Sequence, residues 1–280
     1  MEQLTHRNLT KYTDTLPALS GLASFMSSSA ENEYLCGLWR DKLSGFLMWK
    51  VDYPHLRAQR LVDMPRRHDG YYAPSWSWAS VIAPVNYQDL GGRTSFGKGW
   101  ETPYPLSKGE SEWTERGFLK LLDIQVVRKG LNPFGPPQSA SLTVSGEVAY
   151  AIFQPKKKEL PKRSSSNGGL LVSTVVAQTP LLTADFDPDV LDKYGEVKDG
   201  DQLLLLFMGE SKTSEEGMRE LPHGKLEGLF RIAYGQGLVL KLVAGQPEET
   251  YSRVGTFYYQ GSEKWEKWRA ARDERAVRII

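Results

Sequence analysis

Ser75-Trp76-Ser77-Trp78-Ala79-Ser80-Val81 is where the chain changes its hydrophobic period. Trp76 and Trp78 alternate with Ser77 and Ala79, a two-residue repeat that predicts a strand with both indoles on one face. Upstream the repeat is helical. Leu16, Leu19, Leu22 and Phe25–Met26 recur at helical spacing, and Pro17 suits a first-turn position. From Leu35, the residues Leu38, Trp39, Leu43 and Phe46 follow at offsets of 3, 4, 8 and 11, one stripe of a second helix. Residues 1–50 are therefore expected to form a helical hairpin.

Downstream, strands are predicted at Phe118–Val127, Leu142–Phe153, Leu170–Thr179, Gln202–Met208, Leu226–Tyr234, Leu238–Ala244, Tyr251–Tyr259 and Ala276–Ile280. Most are rich in branched and aromatic residues and bounded by Gly, Pro or Asn. Tyr234-Gly235-Gln236-Gly237-Leu238 reads as a hairpin turn, its glycines free to take positive φ. A short helix is expected over Ser262–Asp273, and loops over Gly91–Gly109, Pro155–Gly169 and Gly209–Gly224. Consecutive strands without intervening helices exclude βαβ units. The expected fold is a β-rich α+β single domain over 1–280. Its helical hairpin packs on an antiparallel β-barrel or sandwich that spans 70–280.

Hydrophobic residues are 40% of the chain and charged residues 25%, ordinary globular usage that lets it bury a core without staples. Lys and Arg number 35 against 34 for Asp and Glu, a net charge of +1 that lacks the basic footprint of a nucleic-acid binder. Cys36 is the single cysteine, so an intramolecular disulfide and a multi-cysteine zinc site are excluded. The longest apolar run, Leu203–Met208, falls far short of the roughly 20 residues that span a bilayer. The polar stretch Met1–Tyr12 lacks the pattern of a secretory signal. A cytoplasmic protein is the expectation. The run Lys156-Lys157-Lys158 with Lys162-Arg163 resembles a nuclear-import signal.

Catalytic signatures are missing: there is no G-x-S-x-G, Walker loop, H-E-x-x-H or G-x-G-x-x-G. Of the four histidines, His68 and His223 fall in polar turns, and neither His6 nor His55 has a second ligand at i,i+4. Cys36 lies beside the apolar stripe, where a free cysteine acts as a small hydrophobe. Asp185, Asp187 and Asp189 have the spacing of a calcium loop, and Glu196 stands twelfth. Val190, however, occupies the sixth position, where the loop needs glycine. No metal or cofactor is called for. The candidate proton-handling groups, taken from strand positions, are Asp123, Glu147, Asp185 and Tyr72. With 8 Trp, 13 Tyr and 10 Phe, a wide barrel would be either filled or aromatic-lined. Trp39, Trp49, Trp76 and Trp78 are candidate ligand contacts and, more simply, a packing anchor.

Two segments and the tail carry a resemblance. Tyr34-Leu35-Cys36-Gly37-Leu38-Trp39-Arg40 with Gly45-Phe46-Leu47-Met48-Trp49 comes first, and Tyr71-Tyr72-Ala73-Pro74 running into the Ser75–Val81 segment comes second. Gly237-Leu238-Val239-Leu240, Tyr251–Phe257 and Val277-Arg278-Ile279-Ile280 complete the order. Together they resemble the region downstream of the HET domain in fungal heterokaryon-incompatibility proteins. The resemblance implies a filamentous fungus and a cytoplasmic setting. It also implies that the HET domain itself is absent, since one helix precedes the Tyr34 motif. Two functions are weighed. One is a stand-alone module that binds a protein or small ligand in self-recognition or defence. The other is a cofactor-independent cyclase or isomerase of specialised metabolism, folding an apolar substrate in an aromatic-lined cavity.

Overall fold

The computed structural model describes residues 2–7, 11–29, 32–52, 65–87, 119–154, 173–177, 183–188, 196–221, 224–261 and 272–280. It is strand-rich with little helix. Helix α1 (Glu2–Thr5) is a single turn, and α2 (Thr15–Ser29) follows. Leu16 and Ala23 of α2 are buried, while Leu22, Phe25 and Met26 are exposed.

The second helix does not form. Its sequence makes strand β1 (Tyr34–Leu35), strand β2 (Leu38–Trp39), a 3-10 turn at Arg40–Lys42 and the one-turn helix α3 (Leu43–Phe46). Cys36 has φ of 51° and Gly37 of 97°, so both turn residues are left-handed. That pair makes the tight two-residue hairpin connection and stops a helix there. The helically spaced Leu35, Leu38, Trp39 and Leu43 are still buried, from a hairpin and a turn. The expected helical hairpin is thus one helix followed by a β-hairpin.

After β3 (Trp49–Val51) and β4 (Arg66–Arg67), the tryptophan segment also departs from expectation. Trp78–Ser80 is a 3-10 helix whose N-cap, Ser77, accepts the Ala79 N–H on Oγ at 3.1 Å. Pro74 and the serines offer turn geometry and local hydrogen bonds in place of a ladder. Only then do β5 (Val81–Ile82) and β6 (Val85–Tyr87) run extended, pairing with β4 and β3 respectively.

The main sheet contains β7 (Leu119–Arg128), β8 (Pro137–Gln154), β9 (Ser173–Ala177), β10 (Thr183–Pro188), β11 (Gln202–Leu221), β12 (Gly224–Leu242), β13 (Thr250–Gly261) and β14 (Asp273–Ile279). Gly209–Gly224, expected as a loop, is instead mostly strand, because β11 and β12 pair from Leu204–Leu240 out to Leu221–Gly224. The expected hairpin at Tyr234–Leu238 lies inside β12, which merges two predicted strands. Gly237 is there for space. A Cβ on it would meet the Leu206 carbonyl oxygen at 2.0 Å and Phe257 Cε1 at 2.7 Å. The loops at 91–109 and 155–169 and residues 262–271 of the expected helix lie outside the described residues; Asp273 already belongs to β14.

Strand β8 organises the sheet. One of its edges carries β7 and then β11, the other β14 and then β9. From β11 the ladders pass through β12 to β13. Strand β13 then returns to β8 by two routes, through β14 at Thr250–Tyr251 and through β10 and β9 at Gly255–Tyr258. All these pairings are antiparallel except β13–β14. Alternation along the strands sorts the core. Leu142, Val144, Leu204, Leu206, Leu238 and Leu240 join Trp49, Trp76 and Trp78 in one cluster, and Ala151, Phe153, Leu203, Leu205, Phe207 and Phe257 form a second. Leu203–Phe207 is consequently buried at every position, the pattern of a strand covered on both faces. No helix among the described residues is long and apolar enough to cross a membrane.

Candidate functional site

The chemistry-bearing residues converge where the tryptophan segment meets the β1–β2 turn and β13. The turn is held from outside: Ser77 Oγ donates to the Cys36 carbonyl at 2.5 Å, and Trp78 Nε1 donates to the Gly37 carbonyl at 2.9 Å. Trp49 Nε1 donates to the Trp76 carbonyl at 2.9 Å. Trp49, Trp76 and Trp78 are essentially fully buried, and Trp39 nearly so. Each of these indole bonds ties together segments that are distant in the chain, so apolar burial and polar satisfaction reinforce one another.

Arg253 enters this cluster from β13 and is fully buried. Its guanidinium lies 3.5 Å from the centroid of the Trp49 ring and donates to the carbonyls of Leu47, at 2.6 Å, and Trp49. A planar fork that is weakly hydrated and stacks on aromatics suits such a position better than an ammonium. The Arg253 N–H donates to Ser75 Oγ at 2.8 Å, and Ser75 in turn donates from Oγ and from its peptide N–H to the Ile280 carbonyl. Arg67 closes the other side. It donates to Glu196 Oε1 at 2.8 Å, Ser80 Oγ at 2.6 Å and the Arg253 carbonyl at 2.8 Å. These arginines and serines escape sequence reasoning, although one lone arginine in the apolar strand Tyr251–Phe257 was a usable signal of a buried cation needing carbonyls.

The candidate proton-handling groups do not meet. Tyr72 is buried near α2, where its hydroxyl donates to the Thr13 carbonyl at 2.8 Å and accepts the Leu16 N–H at 3.0 Å. Its ring stacks on His68 at 4.3 Å, and burial raises its phenol above the usual range. Glu147 on β8 is paired with Arg272 at 2.8 Å, and the Arg272 guanidinium lies 3.8 Å from the Phe207 ring centroid. Asp123 is exposed on β7 and accepts from Gln125 Nε2 at 2.9 Å. Asp185 stands in β10 opposite Tyr258 and Thr174, and Asp187 opposite Thr256. Both thus occupy an extended ladder, a geometry unlike a calcium loop. Among the described residues no three His, Cys, Asp or Glu groups gather as a metal would need.

A pocket of about 270 Å³ opens beside the β1–β2 turn. Tyr34 and Cys36 line it from the hairpin, Ile124, Val126 and Arg128 from β7, Asn132, Pro133 and Pro136 from the β7–β8 connection, and Pro137 from the start of β8. Tyr34 packs edge-on against Trp39 and Phe134, each at 5.4 Å. Burial pushes the Cys36 thiol up to about 12, so it stays protonated at neutral pH and is a poor nucleophile. Arg128 does not stand out in the sequence and Tyr34 does so only at the head of its motif, because the pocket exists only once β7 is set against the hairpin.

No family model, curated protein or solved structure matches this chain.

Proposed function

We propose that the chain is a recognition module, similar to the C-terminal region of fungal incompatibility proteins, that binds a partner in self-recognition or defence. One observation carries the reading: the second core cluster, built from β8, β11, β12 and β13, is closely packed where it is described. Phe207 and Phe257 meet edge-to-face at 5.1 Å there, with Phe153, Leu203, Leu205 and Val239 buried around them. On this reading the circuit of ladders is a small barrel packed by its own side chains, as narrow barrels are. A cyclase needs a shaped hollow with convergent polarising groups. Here Tyr72 and Glu147 are each engaged in structural pairing, at different places in the fold. The order of the Tyr34, tryptophan and C-terminal motifs supports the relationship, and the buried contacts made by those motifs supply a physical reason for their spacing.

The compartment that goes with this reading is the cytoplasm of a filamentous fungus, with the basic run at Lys156–Arg163 available as a nuclear address. Deleting the gene and confronting the deleted strain with strains of differing incompatibility type tests it. The expected result is an altered confrontation reaction. An unchanged reaction across the panel, with the gene expressed in the parent, would count against the module.

A further inference from the structure

His68 lies where separate parts of the N-terminal layer meet. Its Nε2 donates to the Ala79 carbonyl at 3.1 Å, which ties the ring to the 3-10 helix at Trp78–Ser80. Its face stacks on Tyr72, with 4.3 Å between centroids and 25° between planes. Tyr72 in turn carries the start of α2. Its hydroxyl donates to the Thr13 carbonyl and accepts the N–H of Leu16, a residue with no exposed surface. The Arg66 guanidinium, 5.8 Å from the centroid of the Tyr12 ring, braces the turn before the helix. Helix α2 contains no charged residue, so no ion pair of its own holds it down. A half-buried imidazole thus backs the phenol on which that helix is seated.

Charge around the ring is unbalanced. Arg66 and Arg67 reach it with like sign, and Asp69 opposes them. Glu196 is engaged by Arg67 at 2.8 Å, Asp14 acts on the Tyr72 phenol, and the Pro74–Val81 segment has no charged side chain. The bond to Ala79 survives protonation, because Nε2 donates in the neutral ring and in the imidazolium alike. What the second proton adds is a partly desolvated cation beside two others, and burial is the larger part of the resistance to it. We infer that His68 is an acid-sensitive latch on α2: the neutral ring keeps Tyr72 in place beneath the helix, and protonation frees the helix from its seat while the main sheet stays folded. Leu16 and Ala23 are then covered at neutral pH and uncovered in acid. The latch is a property of the fold and does not depend on what the chain recognises.

Hydrogen exchange of the full chain at about pH 7.5 and about pH 5.5, with labelling times scaled to the intrinsic exchange rate, tests the latch. Residues 15–23 should lose protection about 3-fold or more in acid, while β8 and β14 keep theirs. In His68→Gln, whose side-chain amide can still donate to Ala79, the difference between the two pH values should vanish. An NMR titration of the unaltered chain adds a check that needs no variant: the Leu16 amide should shift with the same midpoint as the His68 ring. The latch is overturned by α2 protection that is equal at both pH values, or by an equal acid loss in β8 and β14. It is overturned as well by the same acid loss in a folded His68→Gln, or by a Leu16 amide that titrates apart from His68.

Discussion

Gly237 shows how one missing side chain sets the geometry of a sheet. The Leu206 carbonyl and the Phe257 ring occupy the space a Cβ would need. Overpacking in a core costs about 1–3 kcal/mol, and with backbone in the way Gly237→Ala should reach or pass the upper end of that range. Urea unfolding of the variant measures it; a loss under about 0.5 kcal/mol, the usual bound for surface changes, would mean that β11 and β12 are not so close. His68 gives a second residue-level expectation. Burial chiefly lowers its pKa, aided by the Arg66 and Arg67 charges and opposed by its bond to the Ala79 carbonyl and by Asp69. A depressed folded pKa means that the unfolded chain binds the proton first. Stability is therefore full above the ordinary histidine value and falls as pH drops from about 6.5 through the folded pKa. His68→Gln should flatten this loss between about pH 7.5 and pH 5, as read from urea midpoints. An unaltered slope would show that His68 is not the titrating group.

At the scale of elements, the β1–β2 hairpin depends on the tryptophan segment. Ser77→Ala removes both the hydrogen bond to the Cys36 carbonyl and the cap on Ala79, worth about 1–2 kcal/mol together. Since the Cys36 thiol is buried and protonated, its alkylation at neutral pH should be slow and proceed by local opening. The Ser77→Ala variant should accelerate alkylation about 5- to 30-fold, the factor that corresponds to 1–2 kcal/mol. An unchanged rate would show that the turn stands without Ser77. The same hairpin marks the limit of what the sequence reveals. Apolar strands such as Leu142–Phe153 and Gln202–Met208 are legible because branched residues run between turn signals. The left-handed φ of Cys36 leaves no periodic trace, so helical spacing from Leu35 to Phe46 misleads. Polar residues at 209–221 read as a loop because pairing there satisfies backbone groups that periodicity does not report. Buried Trp76 and Trp78 are foreseeable from composition. Arg253 reaching Leu47, 206 residues away, is not, because its partners are main-chain carbonyls with no sequence identity.

Across the whole molecule, one arrangement links these features. The sheet buries one cluster of aromatic and aliphatic side chains, and the N-terminal segments are fastened to a second cluster by indoles, serines and two arginines. On the proposed reading such a body offers surfaces for recognition, while Glu147 is paired with Arg272 and Asp123 lies exposed. The central claim, recognition without turnover, is tested most directly by comparative metabolite profiling of the source organism with and without the gene, under conditions where it is expressed. The account predicts an unchanged profile. Loss of one compound with accumulation of its precursor, restored by returning the gene, would contradict it and establish a catalytic step.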